Sequence, residues 1–168
     1  TFIDLGYNLY ANECRYGMSW LQMLNGDYYE ALNELIECER SYQAAGEPRG
    51  VLLCTLDRAE AYLGLNLFTD ARSMAQLAER RARKLGFQYE AAKAAWFVAK
   101  AAYAVGETLI GRRAIERAES RFRKEDNRAV LGVVLLTKAM MHNRRKAAST
   151  VLKSARLKFA SAQLPLWQ

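Results

Sequence analysis

Proline is nearly absent: Pro48 and Pro165 are the only two in 168 residues. That scarcity, beside abundant Ala, Leu, Arg and Glu, argues for long helices, because proline removes a donor and clashes inside a helix. Histidine is reduced to His142, and Cys14, Cys38 and Cys54 are odd in number and form no C-x-x-C pair. Scattered in this way, they have neither the paired spacing of a zinc site nor the even number of a disulfide framework, so a reducing cytosol is the expected compartment. The cysteines read as small apolar residues of helix packing. The apolar runs at 51–56 and 130–137 are far too short to cross a bilayer. No secretory leader pattern opens the chain, which starts on Thr1 and reads as an internal piece of a longer polypeptide. With 51% hydrophobic and 26% charged residues, wholesale disorder is excluded. The length suits one domain or one array of small repeats.

What the chain does have is internal repetition. A shift of about 40 residues, within the range of helical-repeat periods, sets Gly26, Asn66 and Gly106 in register. The same shift aligns Ala31 with Ala71 and Gly111, and Ser19 with Ala59 and Ala99. It also aligns Leu35 with Ala75 and Ile115, and Cys38 with Ala78 and Ala118. A second turn signal recurs at Gly46, Gly86 and Asp126. Each unit reads as two helices around a turn. Residues 11–25 and 28–44 form the first pair, 48–64 and 68–85 the second, 89–105 and 109–124 the third, and 128–142 and 146–161 the fourth. Gly26 supplies a left-handed helix end, and Asp27 is placed to cap the next helix with Glu30 in the capping-box position. Asn143 follows Gly106 by slightly less than a full shift, so the last connection is shorter. Small residues at Ser19, Ala59 and Ala99, facing Ala31, Ala71 and Gly111, would let paired helices approach closely, with Ala59 and Ala99 almost fully buried. One hairpin cannot bury its apolar faces alone, but stacked hairpins can.

The run Leu24-Asn25-Gly26-Asp27-Tyr28-Tyr29-Glu30-Ala31-Leu32 resembles the turn of a tetratricopeptide repeat (TPR). Asn66-Leu67-Phe68-Thr69-Asp70-Ala71 and Gly106-Glu107-Thr108-Leu109-Ile110-Gly111 follow it, and Asn143-Arg144-Arg145-Lys146-Ala147-Ala148 follows weakly. The proline that usually closes the unit is absent, and the period exceeds the family's common value of about 34 residues. The resemblance implies an all-α, right-handed helical-hairpin solenoid. Its four units would span about 11–46, 47–86, 87–126 and 127–163, with 1–10 a partial preceding helix and 164–168 a tail. The phrases at 57–67 and 85–94 are also similar to the long-period arrays that precede the caspase-like CHAT protease in bacterial proteins.

Sites of chemistry are scarce. No phosphate-binding loop with a following Lys-Ser/Thr is present, His142 sits at an expected helix end, and Glu37 and Glu39 read as solvated surface. No enzymatic role and no cofactor or metal is expected. The TPR resemblance places helix-A residues at i, i+3, i+7 and i+10 along a concave groove. Unit one then contributes Tyr16, Trp20 and Met23 beside Glu13. Unit two contributes Leu56 and Glu60, and unit three contributes Lys93, Trp96, Lys100 and Tyr103. This mixture suits a protein or peptide partner with acidic groups, or a segment of the parent chain. Trp20 and Trp96 read equally well as inter-helix core. The net charge of +7 has its densest source in Arg80, Arg81, Arg83 and Lys84 and in the arginines of 112–123. Those residues read as a solvated convex face. The alternative reading is a nucleic-acid-binding regulatory domain, for which interleaved aromatics are lacking.

Overall fold

The structure, a computed structural model, describes residues 8–141 and 145–162. Eight helices follow one another: α1 (Asn8–Asn25), α2 (Tyr28–Ala44), α3 (Pro48–Gly64), α4 (Phe68–Leu85), α5 (Gln88–Ala104), α6 (Thr108–Lys124), α7 (Arg128–Met140) and α8 (Arg145–Ser161). No strand occurs among the described residues. Each helix packs on its neighbours in sequence, and α3 also meets α1 and α5. The chain is therefore a stack of helical hairpins, an all-α solenoid. The expectations for Asn143, His142, residues 1–7 and the 164–168 tail lie outside the described residues.

One device makes all six described turns. Gly26, Gly46, Asn66, Gly86, Gly106 and Asp126 have φ between 49° and 89°, and they are evenly spaced at half the repeat period. Asn and Asp tolerate this left-handed conformation better than other side-chain-bearing residues. The residue after each one donates its N–H five residues back: Asp27 to Gln22, Glu47 to Tyr42, Leu67 to Tyr62, Phe87 to Ala82, Glu107 to Ala102 and Asn127 to Phe122, all at 2.8–3.2 Å. That bond is the signature of a Schellman stop. The same residue's carbonyl then accepts the first bond of the next helix, as Asp27 does from Ala31 at 3.0 Å. The Asp27 side chain makes no cap bond, contrary to the sequence expectation. Its ψ of 56° is well short of extended, so the carboxylate is not aimed at the first-turn N–H groups. Asn127 alone of the described N-caps uses its side chain, accepting from the N–H of Val130 at 3.2 Å.

Packing follows the small residues. Ala71, Ala75, Ala78 and Ala82 form one stripe of α4, and all are fully buried. Ala59, Ala99 and Ser19 are also at 0% exposure. Gly111 sits against the backbone of Ala99 and Tyr103, where an added methyl carbon would lie 3.4 Å from the Ala99 carbonyl. Ala99→Leu should overpack this approach and cost about 1–3 kcal/mol. A shift in urea midpoint without a change in slope would register it. An unchanged midpoint would show that α5 and α6 are not in tight contact.

Candidate functional site

The first helices of the hairpins, α1, α3, α5 and α7, share a face that carries the aromatic and charged groups singled out above. Its centre is Asp57 of α3, 4% exposed. Tyr16 of α1 donates its hydroxyl to Asp57 Oδ2 at 2.5 Å. Lys93 of α5 lies 3.5 Å from Asp57 Oδ1 and 2.9 Å from Glu60 Oε2. Burial raises the Asp57 pKa and outweighs the opposing pull of Lys93. Burial also disfavours the Lys93 charge, but Asp57 and Glu60 more than compensate and its pKa rises. The Tyr16 hydroxyl is pushed up by burial first and by Asp57 second.

The same bridge recurs two units on. Trp96 of α5 donates Nε1–H to Thr137 Oγ1 of α7 at 3.0 Å, and both bridges join residues 41 apart. Tyr103 adds a bond from its hydroxyl to the Met140 carbonyl at 3.0 Å. These side chains fasten one first helix to the next, so they are structural ties as well as surface groups. Met23 and Leu56, expected in the groove, are buried at 8% and 2% exposure. Met23 packs among Ala31, Leu35 and Cys38, and Leu56 packs in the main core with Ala59 and Phe97. Leu56 is core rather than a docking contact, because the i+3 spacing carried it around α3 into the inter-helix seam, whereas Met23, though mostly buried, still reaches the wall of the cleft between units one and two. Lys93 is likewise committed to two carboxylates.

What remains open is a cleft of about 540 Å³ between units one and two. Trp20, Leu24 and Tyr28 line one side, Glu60, Leu63 and Phe68 the other, and Lys100 of α5 closes one end. Trp20 is 50% and Leu24 64% exposed. The Lys100 ammonium stands 5.1 Å from the Trp96 ring centroid and 6.0 Å from that of Phe97. Partial burial lowers its pKa, with Glu60 opposing only in part. Of the expected site residues, Trp20, Met23, Glu60 and Lys100 therefore converge. Leu24, Tyr28 and Phe68 were missed, the last two because they open second helices, outside the helix-A register.

The outer side of the array holds a second constellation. Glu39, Glu79 and Glu119, each on a second helix and in register under the repeat shift, are largely buried and paired. Glu39 takes Arg58 at 2.5 Å, Arg81 at 2.8 Å and the Thr55 hydroxyl at 3.1 Å. Glu79 takes Arg117 through two bonds of 3.0 and 2.9 Å and Arg121 at 3.1 Å. Glu119 takes Lys138 at 2.7 Å and Arg123 at 2.8 Å. Each acid clasps helices of adjacent hairpins or adjacent turns. Glu39 is thus not solvated surface, and Arg81, Arg117 and Arg121 are not a free basic face: their charge is spent on buried carboxylates. The shift that aligned the small residues also aligns these acids, Arg81 with Arg121, and Arg58 with Lys138.

Among the described residues no cluster of three or more His, Cys, Asp or Glu is arranged to hold a metal, and no helix is long and apolar enough to cross a membrane. No protein-family model matches the chain and no curated protein is similar to it, so its site is read from its own geometry.

Proposed function

We propose that the chain is a protein-binding module of the tetratricopeptide kind, which docks a peptide segment on the face formed by its first helices. The observation that carries this reading is the cleft under Trp20. Half-exposed aromatic and aliphatic side chains from two hairpins meet there beside a lysine that has no carboxylate partner among the described residues. Large aromatic anchors with a nearby charge are the usual source of interface energy. Binding rather than catalysis fits a cleft whose charged groups are one lysine and a glutamate already paired with Lys93. A segment of the parent polypeptide is an occupant consistent with the resemblance to arrays preceding CHAT proteases.

Selection of short peptides displayed on phage against the chain tests the reading. Trp20→Ala should weaken the enriched peptides about tenfold, close to 1.4 kcal/mol. Lys100→Glu should weaken those bearing Asp or Glu, and Arg113→Glu on the outer side should leave both sets unchanged. Circular dichroism should show all three variants folded, since Trp20, Lys100 and Arg113 are exposed. Enriched peptides indifferent to Trp20 and Lys100, but lost with Arg113→Glu, would move the working surface to the outer side.

A further inference from the structure

The basic charge of the array sits on two interior second helices. Helices α4 and α6 together carry eleven basic and four acidic groups, a balance of +7 (11 − 4) that equals the net charge of the whole chain. The first helices beside them, α3 and α5, carry four basic and three acidic groups. Arg81, Arg117, Arg121 and Arg123 are held by the buried glutamates, and Arg72 is held by Glu107. Six cations are left without a carboxylate partner among the described residues. They are Arg80, Arg83 and Lys84 on α4 and Arg112, Arg113 and Lys124 on α6, and all six are exposed. Asp70 and Glu116 are the acids of these two helices left unpaired, so an excess of +4 (6 − 2) stays open to solvent. Both helices belong to units with a described hairpin on each side.

The clasps set these cations on one surface. Arg117 of α6 reaches Glu79 of α4 through Nε and Nη2 at 3.0 and 2.9 Å, so the two helices stand side by side on the outer side of the array. The repeat shift puts Arg83 level with Arg123 and Lys84 level with Lys124. A shallow depression of about 530 Å³ lies along α6, lined by Arg113, Glu116, Arg117, Ser120, Arg121 and Lys124. Arg117 keeps 42% of its side chain exposed there, and its Nη1 has no partner among the described residues. Every apolar side chain between Arg112 and Lys124 is buried, so the outward face is wholly polar.

We propose that this ridge binds the phosphate backbone of a double-helical nucleic acid, by charge and without reading sequence. Arg112 and Lys124 are about 18 Å apart along α6 at the rise of an α-helix, and a duplex presents about ten phosphate charges over that length. Guanidinium groups suit phosphate because their planar donors meet two oxygens at once. Glu79 fixes Arg117 in place before any ligand arrives, which lowers the entropy lost on binding. A duplex keeps its bases stacked inside, so the ridge needs none of the aromatic platforms that a single strand requires. A bilayer surface or a protein partner would draw on exposed apolar anchors, and this face has none. The ridge and the Trp20 cleft are separate surfaces, so the two readings stand or fall independently.

Fluorescence anisotropy of the full chain with labelled DNA and RNA duplexes of about 20 base pairs and mixed sequence tests this. At low salt at least one duplex should bind, and the tighter of the two identifies the natural partner. The logarithm of the affinity should fall linearly with the logarithm of salt concentration, with a slope of about −4 to −5 for some five phosphate contacts. Arg112→Glu combined with Arg113→Glu should weaken binding about tenfold or more and make the slope shallower by about 2. Lys84→Glu combined with Lys124→Glu should act in the same direction. Exposed helix positions accept Glu, so the circular dichroism spectrum and melting temperature should hold in both variants. Arg40→Glu combined with Arg15→Glu makes the same change of charge at exposed positions of α1 and α2 and should shift affinity by less than about twofold. Trp20→Ala should leave duplex binding unchanged. The proposal is overturned if neither duplex binds at low salt, or if the α1 and α2 variant weakens binding as much as the α6 variant. Tighter binding of a single strand or of poly-glutamate than of either duplex would overturn it as well.

Discussion

Phe97→Ala should destabilise the array by about 3–5 kcal/mol, the range for emptying a fully buried aromatic site. Phe97, with Phe122, is the largest fully buried side chain among the described residues, 1% exposed at the middle of α5. Helix α5 is packed by α3, α4 and α6, so the cavity is walled by helices that cannot all move inward. Its ring lies 5.4 Å from that of Trp96, and the Lys93 ammonium stands 5.3 Å from its centroid. Removing it therefore unseats the lysine that joins Asp57 to Glu60. At this chain length the loss corresponds to a fall in melting temperature of roughly 6–20 °C. Urea unfolding gives the free energy directly. A change below about 1 kcal/mol, far under the usual cost of such a cavity, would show that α5 is not the centre of the fold. Peptide binding at the Trp20 cleft should weaken alongside, because Lys100 shares the same ring surface.

Glu79→Ala should cost about 2–4 kcal/mol, because it strands arginines whose counter-charge is gone. Arg121 has only 19% of its side chain exposed and carries most of that penalty, whereas Arg117, at 42%, can turn to water. Burial pushes the Glu79 pKa up, but Arg117 and Arg121 outweigh it and the net shift is downward. Glu39 and Glu119 also shift downward, Glu39 through Arg81 and Arg58 and Glu119 through Lys138 and Arg123, against burial. A carboxylate whose folded pKa is depressed stabilises the fold above its unfolded pKa and loses that contribution as pH falls through the folded value. Asp57 has the opposite sign: its raised pKa favours the fold at low pH, and that contribution is lost as pH rises through the folded value. Three clasps against one aspartate make the balance acid-labile. The urea midpoint should hold from about pH 7 to 5 and fall steeply below about pH 4.5, the ordinary glutamate range. In Glu79→Ala the starting midpoint should be lower and the acid slope shallower. A variant with the wild-type slope would show that the clasp does not stay ionised in the folded state.

Much of this was legible in the residues before any coordinates. Proline scarcity excluded interrupted helices, and the spacing of Gly26, Gly46, Asn66, Gly86, Gly106 and Asp126 marked six turns. These residues were legible because left-handed backbone is a local demand that few residue types meet. Ala59 and Ala99 were legible as close-approach points for a similar reason: only small side chains fit between helices in contact. Asp27 misled because its type allows a cap, while its backbone angle, set by the Schellman turn, does not supply one.

Side-chain partnership was not legible in the same way. Glu37 and Glu39 are near neighbours in sequence, yet one pairs on the surface with Arg40 and the other is buried under Arg58 and Arg81. The rotation of α2 against α3 and α4 decides between them. The sequence by itself determined the helices, their turns, their common length and the small residues at their crossings, because each is a property of a few consecutive positions. Only the tertiary structure decided that Leu56 faces inward, that Trp20, Met23 and Lys100 meet Phe68 at one cleft, and that basic residues of α4 and α6 clasp buried acids. Those contacts depend on how helices one and two places apart in the chain are rotated and offset. That arrangement is set by the packing of the whole stack rather than by any one segment.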